Sequence, residues 1–160
     1  MLDHARLLSI LSYCPTSGNF VWLISTGRAF RGNIAGSVRA EGYVVIIIDK
    51  VPYKAHRLAW LYMTGEWPKG RLDHEDNCGS NNRWANLRPA THSQNMANRK
   101  LNANSSSGYK GVSSRGKRFC AYVNKDGVRH YLGTFASAAA AAAVSADKSR
   151  ELHGAFARTG

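Results

Sequence analysis

Residues 71–100, RLDHEDNCGSNNRWANLRPATHSQNMANRK, decide how the rest of the chain is read. Arg71 to His74 has the pattern of a short strand. Asp76 to Asn82 (DNCGSNN) is crowded with turn formers and reads as a loop. Leu87 to Ala90 returns as a second strand. Thr91 is a good N-cap, and Gln94 three positions later completes a capping-box pattern. A helix is therefore predicted from His92 to about Leu101. The order is strand, loop, strand, helix. Neighbouring strand residues point to opposite faces. If Asp73 and His74 are to act together, the backbone must bend or bulge after Asp73.

The residue types in this stretch suit one kind of chemistry. Hydrolysing a phosphodiester needs a base to activate water, a cation to offset phosphate charge, and a frame to hold both. Asp73 offers a hard oxygen of the kind Mg²⁺ accepts. His74 is an imidazole able to take a proton near neutral pH. Taken singly, each has an ordinary reading: Asp73-His74 as a surface turn, Asn86 as a turn or cap residue, Asn95 as a solvated helix position. His92 reads as decoration of the first helical turn and His56 as a buried helix-face residue. His4, His130 and His153 have no local partner pattern.

Upstream, Leu7 to Leu11 is a short amphipathic stretch. Asn19 to Ile24 is apolar and β-favouring between turn residues. Gly42 to Asp49 (GYVVIIID) is the strongest strand signal, and Val44 to Ile48 reads as a buried strand. A helix is predicted from Ala55 to Thr64, with His56, Ala59, Trp60 and Met63 on one face and Gly65 as its stop.

Downstream, Asn102 to Ser107 (NANSSS) has linker composition. Tyr109 to Phe135 then reads as three strands, with turns at Arg115-Gly116 and Asp126-Gly127, the second a strong hairpin signal. The alanine-rich run from Ala136 to Ala146, continuing to His153, is predicted as a helix, capped by Ser137 and stopped by Gly154. Period-two reading gives the second strand an apolar face of Phe119, Ala121 and Val123, suited to pack on that helix. Arg118, Tyr122 and Asn124 point the other way, and Arg129 and Tyr131 share a face of the third strand. Lys110, Arg115 and Lys117 add charge. Long donors and rings on one sheet face suit a strand-type major-groove reader.

Composition points the same way. Against 10 Asp+Glu stand 22 Lys+Arg, a formal net charge of +12 in 160 residues. Such an excess favours a polyanion through counterion release. No apolar run is long enough to span a bilayer, and the N-terminus lacks a signal-peptide pattern. Cys14, Cys78 and Cys120 are far apart in sequence and include no C-x-x-C pair, so neither a zinc cage nor a disulfide framework is indicated. Reduced thiols in the cytoplasm are the simple expectation.

The string LDHEDNCGSNNRWANLRPATHSQNMANRK resembles the HNH endonucleases, specifically the phage and intron homing type. Ala55-His56-Arg57-Leu58-Ala59-Trp60 resembles the helix that precedes the site in those proteins. The resemblance implies His74 as general base, Asp73 and Asn95 as ligands of one divalent metal, and Asn86 as an orienter of the loop and of His74. The third position is often His in the family; here it is Asn95, whose amide oxygen suits hydrated Mg²⁺ better than Zn²⁺. Mn²⁺ is expected to substitute. Arg88, Arg99 and Lys100 are candidate phosphate contacts.

Ser107 to about Arg158 resembles the plant Apetala/ethylene-response-factor DNA-binding domain, through Tyr109-Lys110-Gly111-Val112, Phe119-Cys120-Ala121, Tyr131-Leu132-Gly133-Thr134-Phe135 and the alanine-rich helix. The resemblance implies that the sheet faces DNA, through Lys110, Ser113, Arg115, Tyr122, Asn124, Arg129 and Tyr131, with Lys117 nearby. The family's usual Trp residues are replaced here, so no sequence preference carries over.

The expected fold is therefore α+β: a ββα-metal HNH core at about 71–100 inside a domain 1–101 with preceding strands, a linker at 102–107, and a DNA-binding domain at 108–160. That second domain is a three-stranded antiparallel sheet on one helix. The expected activity is metal-dependent cleavage of double-stranded DNA, by nicking or by a double-strand break, as a monomer or homodimer, in the cytoplasm of an infected bacterial cell if phage-encoded. The rival expectation is a non-catalytic DNA-binding regulator.

Overall fold

A computed structural model describes residues 2–27 and 29–159. Its contacts divide the chain into two compact units, Met1–Pro89 and Ala90–Gly160. The architecture is mixed α+β with several small sheets.

The first unit opens with α1 (His4–Ile10), where the Asp3 carboxylate accepts from the Arg6 amide at 2.7 Å and caps the helix. A short antiparallel pair follows, β1 (Leu11–Tyr13) with β2 (Phe20–Trp22). Next comes a three-stranded sheet of β3 (Ser37–Val38), β4 (Val44–Ile48) and β5 (Val51–Lys54) in that order. Then come α2 (Ala55–Thr64), β6 (Arg71–His74), a 3₁₀ turn at Trp84–Asn86 and β7 (Leu87–Ala90), which pairs with β6. Leu7, Ile10, Leu11, Phe20, Ile46, Leu58 and Leu61 fill one core. Each such side chain contributes about 1.5–3 kcal/mol through burial.

Two expectations need correction here. The Val44–Ile48 run is not buried throughout: Ile46 and Ile48 face the core, while Ile47 is 53% exposed. An antiparallel sheet covered on one side alternates in this way whatever its composition. In α2 the buried residues are Ala55, His56, Leu58, Ala59 and Leu61, and Met63 lies outside at 41% exposure. The Leu residues, not Met63, define the face. Gly65 ends the helix in the left-handed region (φ 79°), as a helix C-terminus favours.

The second unit holds α3 (His92–Asn98), β8 (Val112–Arg115), β9 (Arg118–Lys125), β10 (Val128–Phe135), α4 (Ala138–His153) and a closing 3₁₀ turn. The three strands form an antiparallel sheet with β9 in the centre. Asp126 (φ 50°) and Gly127 (φ 83°) make its β9–β10 turn; two positive φ values in a two-residue loop match the right-handed twist of the strands. Val112, Ala121 and Ala141 are buried together, with Phe119, Leu132, Phe135 and Ala142 against them. Alanines on α4 let it lie close to β9. Ser137 caps α4 by accepting from the Ala140 amide at 3.2 Å. The 102–107 stretch lies inside this unit, and Ser107 Oγ donates to the Val112 carbonyl at 2.8 Å. Small polar composition here makes hydrogen-bonded turns.

Candidate active site and nucleic-acid interface

The loop between β6 and β7 is fastened from several sides. Asn86 is the main fastener. Its amide nitrogen donates to Asp76 Oδ1 at 2.9 Å and to the Asn81 carbonyl at 2.8 Å. Its amide oxygen accepts from the Asp76 backbone N–H at 3.1 Å, and its carbonyl accepts from the Glu75 N–H at 3.0 Å. Asp76 in turn accepts from the Cys78 N–H and from Asn81 Nδ2. Partial burial raises the Asp76 pKa, but the bonds from Asn81, Cys78 and Asn86 outweigh it and hold the carboxyl below its ordinary value.

The far end of the loop rests on the first hairpin. Tyr13 Oη donates to the Asn82 carbonyl at 2.6 Å, and burial pushes the Tyr13 hydroxyl up to about 12, so it stays a donor. The Trp84 N–H donates to the Pro15 carbonyl. Gly18 (φ 77°) lies so close that a Cβ there would stand 2.5 Å from both Arg83 N and Asn82 C.

This frame positions His74, which is 6% exposed. Asn82 Nδ2 donates to the Ser80 carbonyl at 3.2 Å, which turns its Oδ1 toward His74 Nε2 at 3.3 Å. An amide oxygen only accepts, so Nε2 carries the proton and Nδ1 carries the lone pair of the neutral ring. Burial lowers the His74 pKa below the usual imidazole value; Asn82, Asp76 and Asp73 oppose that shift, and Lys54 adds to it. The ring meets His56 edge-to-face at 4.9 Å and Tyr43 at 5.8 Å, and Lys54 Nζ stands 4.3 Å over the Tyr43 ring. His56 is itself buried, its Nδ1 has no hydrogen-bond partner among the described residues, and burial with His74, Lys54 and Arg57 nearby brings it down to about 3. The result is a cluster of neutral rings around a neutral imidazole.

Asp73, 5% exposed, follows a different logic. Its Oδ2 accepts from Arg88 Nε at 3.0 Å, and Arg88 also reaches Glu75 at 3.6 Å. Arg88 was expected to contact phosphate from the surface. Instead β6–β7 pairing turns it inward, and its side chain is 17% exposed.

Asn95 sits half-buried on α3, in the second unit. Arg99 and Lys100 are exposed just beyond that helix. Lys110 differs from expectation. Its ammonium donates to the carbonyls of Ala97 and Arg99, at the C-terminal end of α3, and not from the outer sheet face. Burial, with Arg158 and Arg99 nearby, brings it down to about 8.

The outer face of the C-terminal sheet gathers the remaining candidates. The register sets Arg115 opposite Arg118, Asn124 opposite Arg129, and Tyr122 opposite Tyr131. Cross-strand partners share a face, so these side chains and Ser113 lie together. Arg129 stacks 4.4 Å over the Tyr122 ring and donates to Asn124 Oδ1 at 3.3 Å. Tyr131 is 64% exposed and hydrogen-bonds Thr134 at 2.5 Å. Lys117 is exposed in the β8–β9 turn.

Sequence reading missed Asn82, Asp76 and the inward role of Arg88; it placed Arg118 on the face of Tyr122 and Asn124 but did not name it among the DNA contacts. Nothing in DNCGSNN separates the Asn that meets His74 from its neighbours. Arg118 carried a signal, since it precedes Tyr122 by four residues in one strand and so shares its face.

Against this geometry, comparison with known proteins is informative for one segment. No curated protein and no solved structure matches the chain. Residues 53–97, from β5 through most of α3, match the model of a family described as HNH endonuclease, and that match supports a nuclease acting on DNA.

Proposed function

We propose that this protein is a metal-dependent endonuclease that hydrolyses phosphodiester bonds of double-stranded DNA. The observation that supports it most is the state of His74. The ring is buried, burial favours its neutral form, and Asn82 Oδ1 lies 3.3 Å from Nε2, where it accepts from the Nε2–H tautomer. That is the condition in which an imidazole takes a proton from water. His74 serves as general base, and Asn86 positions the loop that carries it.

Asp73 and Asn95 serve as ligands of one divalent ion, as the family resemblance implies. The donor chemistry fits an oxygen-bound, hydrated cation. Asp73 offers carboxylate oxygens and Asn95 an amide oxygen. Mg²⁺ commonly keeps its waters and takes one or two protein oxygens. When bound, the ion offsets negative charge on the phosphate. The basic sheet face, including Arg115, Arg129 and Tyr131, holds the duplex, as an Apetala/ethylene-response-factor-like domain would, and Lys117 adds charge at its rim. The homing type, with a phage source, is the reading that the sequence resemblance favours.

The Arg88–Asp73 ion pair favours a second reading, a DNA-binding regulator whose nuclease motif is spent on internal contacts. Plasmid nicking with Mg²⁺ or Mn²⁺ decides between them. Wild type should cut, and His74→Ala should lose about 10²–10⁴-fold in rate. Equal cutting by both proteins, or none by either, refutes the nuclease reading.

A further inference from the structure

The helix that carries Asn95 has little means of standing alone. α3 has seven residues. Isolated helices below roughly 12–15 residues are marginal in water. Its N-terminus is settled locally: Thr91 accepts from the Gln94 amide, and Gln94 reaches back to the Thr91 amide. Its C-terminal end is held from elsewhere in the chain. Arg99 leaves in an extended conformation (ψ 146°), and the last carbonyls of a helix have no partner within it.

Those carbonyls are met from the C-terminal sheet unit. Lys110 donates to the carbonyls of Ala97 and Arg99, and the Arg158 N–H donates to Ala97 at 3.3 Å. Nearer its N-terminus, the β9–β10 turn binds the helix: the Asp126 N–H donates to Ser93 Oγ at 2.9 Å. A cation at a helix C-terminus also meets the negative end of the helix dipole. Ala97 and Asn98 are buried where α3 lies.

We infer that Lys110 is a positioning residue: it caps α3, the helix carrying Asn95, and makes the sheet unit the bed of that helix and not only a DNA-holding module. The inference rests on the proposed nuclease reading for the role of Asn95. The capping itself does not.

The experiment uses the full chain with Lys110→Met, Lys110→Arg and Ser93→Ala, the last an independent change near the N-terminus of α3. Amide hydrogen exchange follows residues 95–101, duplex binding is measured at two salt concentrations, and single-turnover cleavage is read at saturating plasmid with Mn²⁺. Lys110→Met should exchange about tenfold faster across that segment and cut about tenfold more slowly, with unchanged affinity and salt slope. Lys110→Arg should recover much of both, and Ser93→Ala should shift both in the same direction by less. If Lys110→Met leaves exchange unchanged while weakening binding and lowering the salt slope by about one, Lys110 is a phosphate contact and the inference fails. If exchange rises with no change in cutting, the link from α3 to catalysis fails. Failure of wild type to cut sinks the nuclease reading instead, and exchange still decides the cap.

Discussion

The polar side chains around His74 and those on the outer face of the C-terminal sheet are held in opposite ways. Around His74, Asn82, Asn86 and Asp76 bond mostly to backbone and to one another. On the sheet, Arg115, Arg118, Arg129 and Tyr131 are exposed, and the contacts that hold Arg129 and Tyr131 run between side chains of the same face. A group that must present one lone pair in one direction needs a fixed surround. A group that must find a phosphate along a flexible polyanion needs reach and charge. The comparison teaches which positions tolerate change: few in the loop, many on the sheet.

The sharpest way to break that contrast is at Asn86. Asn86→Ala leaves the Asp76 amide and the Asn81 carbonyl without their bonds and frees the loop after His74. Cutting should fall by about a hundredfold or more, since small misplacements of a catalytic group have effects of that size, while duplex affinity stays within about twofold. A loss confined to affinity would mean that Asn86 belongs with the contact residues and not with the frame.

Next in size is the seat under the loop. Gly18→Ala puts a methyl 2.5 Å from two backbone atoms of Asn82 and Arg83, at a φ of 77° that L-residues avoid. Neither atom is the end of a flexible side chain, so the loop or the hairpin must move. Thermal or urea unfolding should show about 3 kcal/mol of destabilisation. A neutral result would mean that the hairpin and the loop shift apart at little cost.

A smaller effect concerns acid. The His56 ring favours its neutral form in the fold, with a pKa near 3 against 6.5 for the ordinary side chain. The unfolded chain therefore binds the extra proton first as the pH falls. The stability tied to this group is intact above about 6.5 and is lost progressively toward 3. His56→Leu removes that dependence. By the middle of the window its stability relative to wild type should have improved by about 2 kcal/mol over its value at pH 7.5, read from paired unfolding curves. Parallel pH profiles for the two proteins would mean that His56 is not held neutral.

Much of this was legible in the sequence, for reasons that also mark where reading stopped. β6, β7 and the capping box at Thr91 are local features, written in strand patterning and in residues three apart. The sheet face was legible because alternation is a local rule and Asp126-Gly127 fixes the β9–β10 register. What escaped was what only pairing or packing decides. Arg88 meets Asp73 because β7 lies beside β6, fifteen positions apart in sequence. Lys110 meets α3 across a stretch whose composition suggested only a linker. Ile47 is exposed because one side of its sheet is uncovered.

The smallest expected effects lie on the sheet, and they test the contrast from its other side. Arg129→Ala removes a guanidinium that stacks on Tyr122 and bonds Asn124, both on the same exposed face. No backbone group loses a partner in those two contacts, so stability should change by under about 0.5 kcal/mol, as for most surface substitutions. Affinity for duplex DNA should fall a few-fold at moderate salt, and the salt slope should drop by about one if the group meets a phosphate. Single-turnover cutting at saturating DNA should stay at the wild-type rate, because the sheet then has nothing left to contribute through occupancy. If Arg129→Ala slowed cutting at saturation while leaving the salt slope intact, this face would be part of the frame rather than a grip, and the division between fixed loop and tolerant sheet would be wrong.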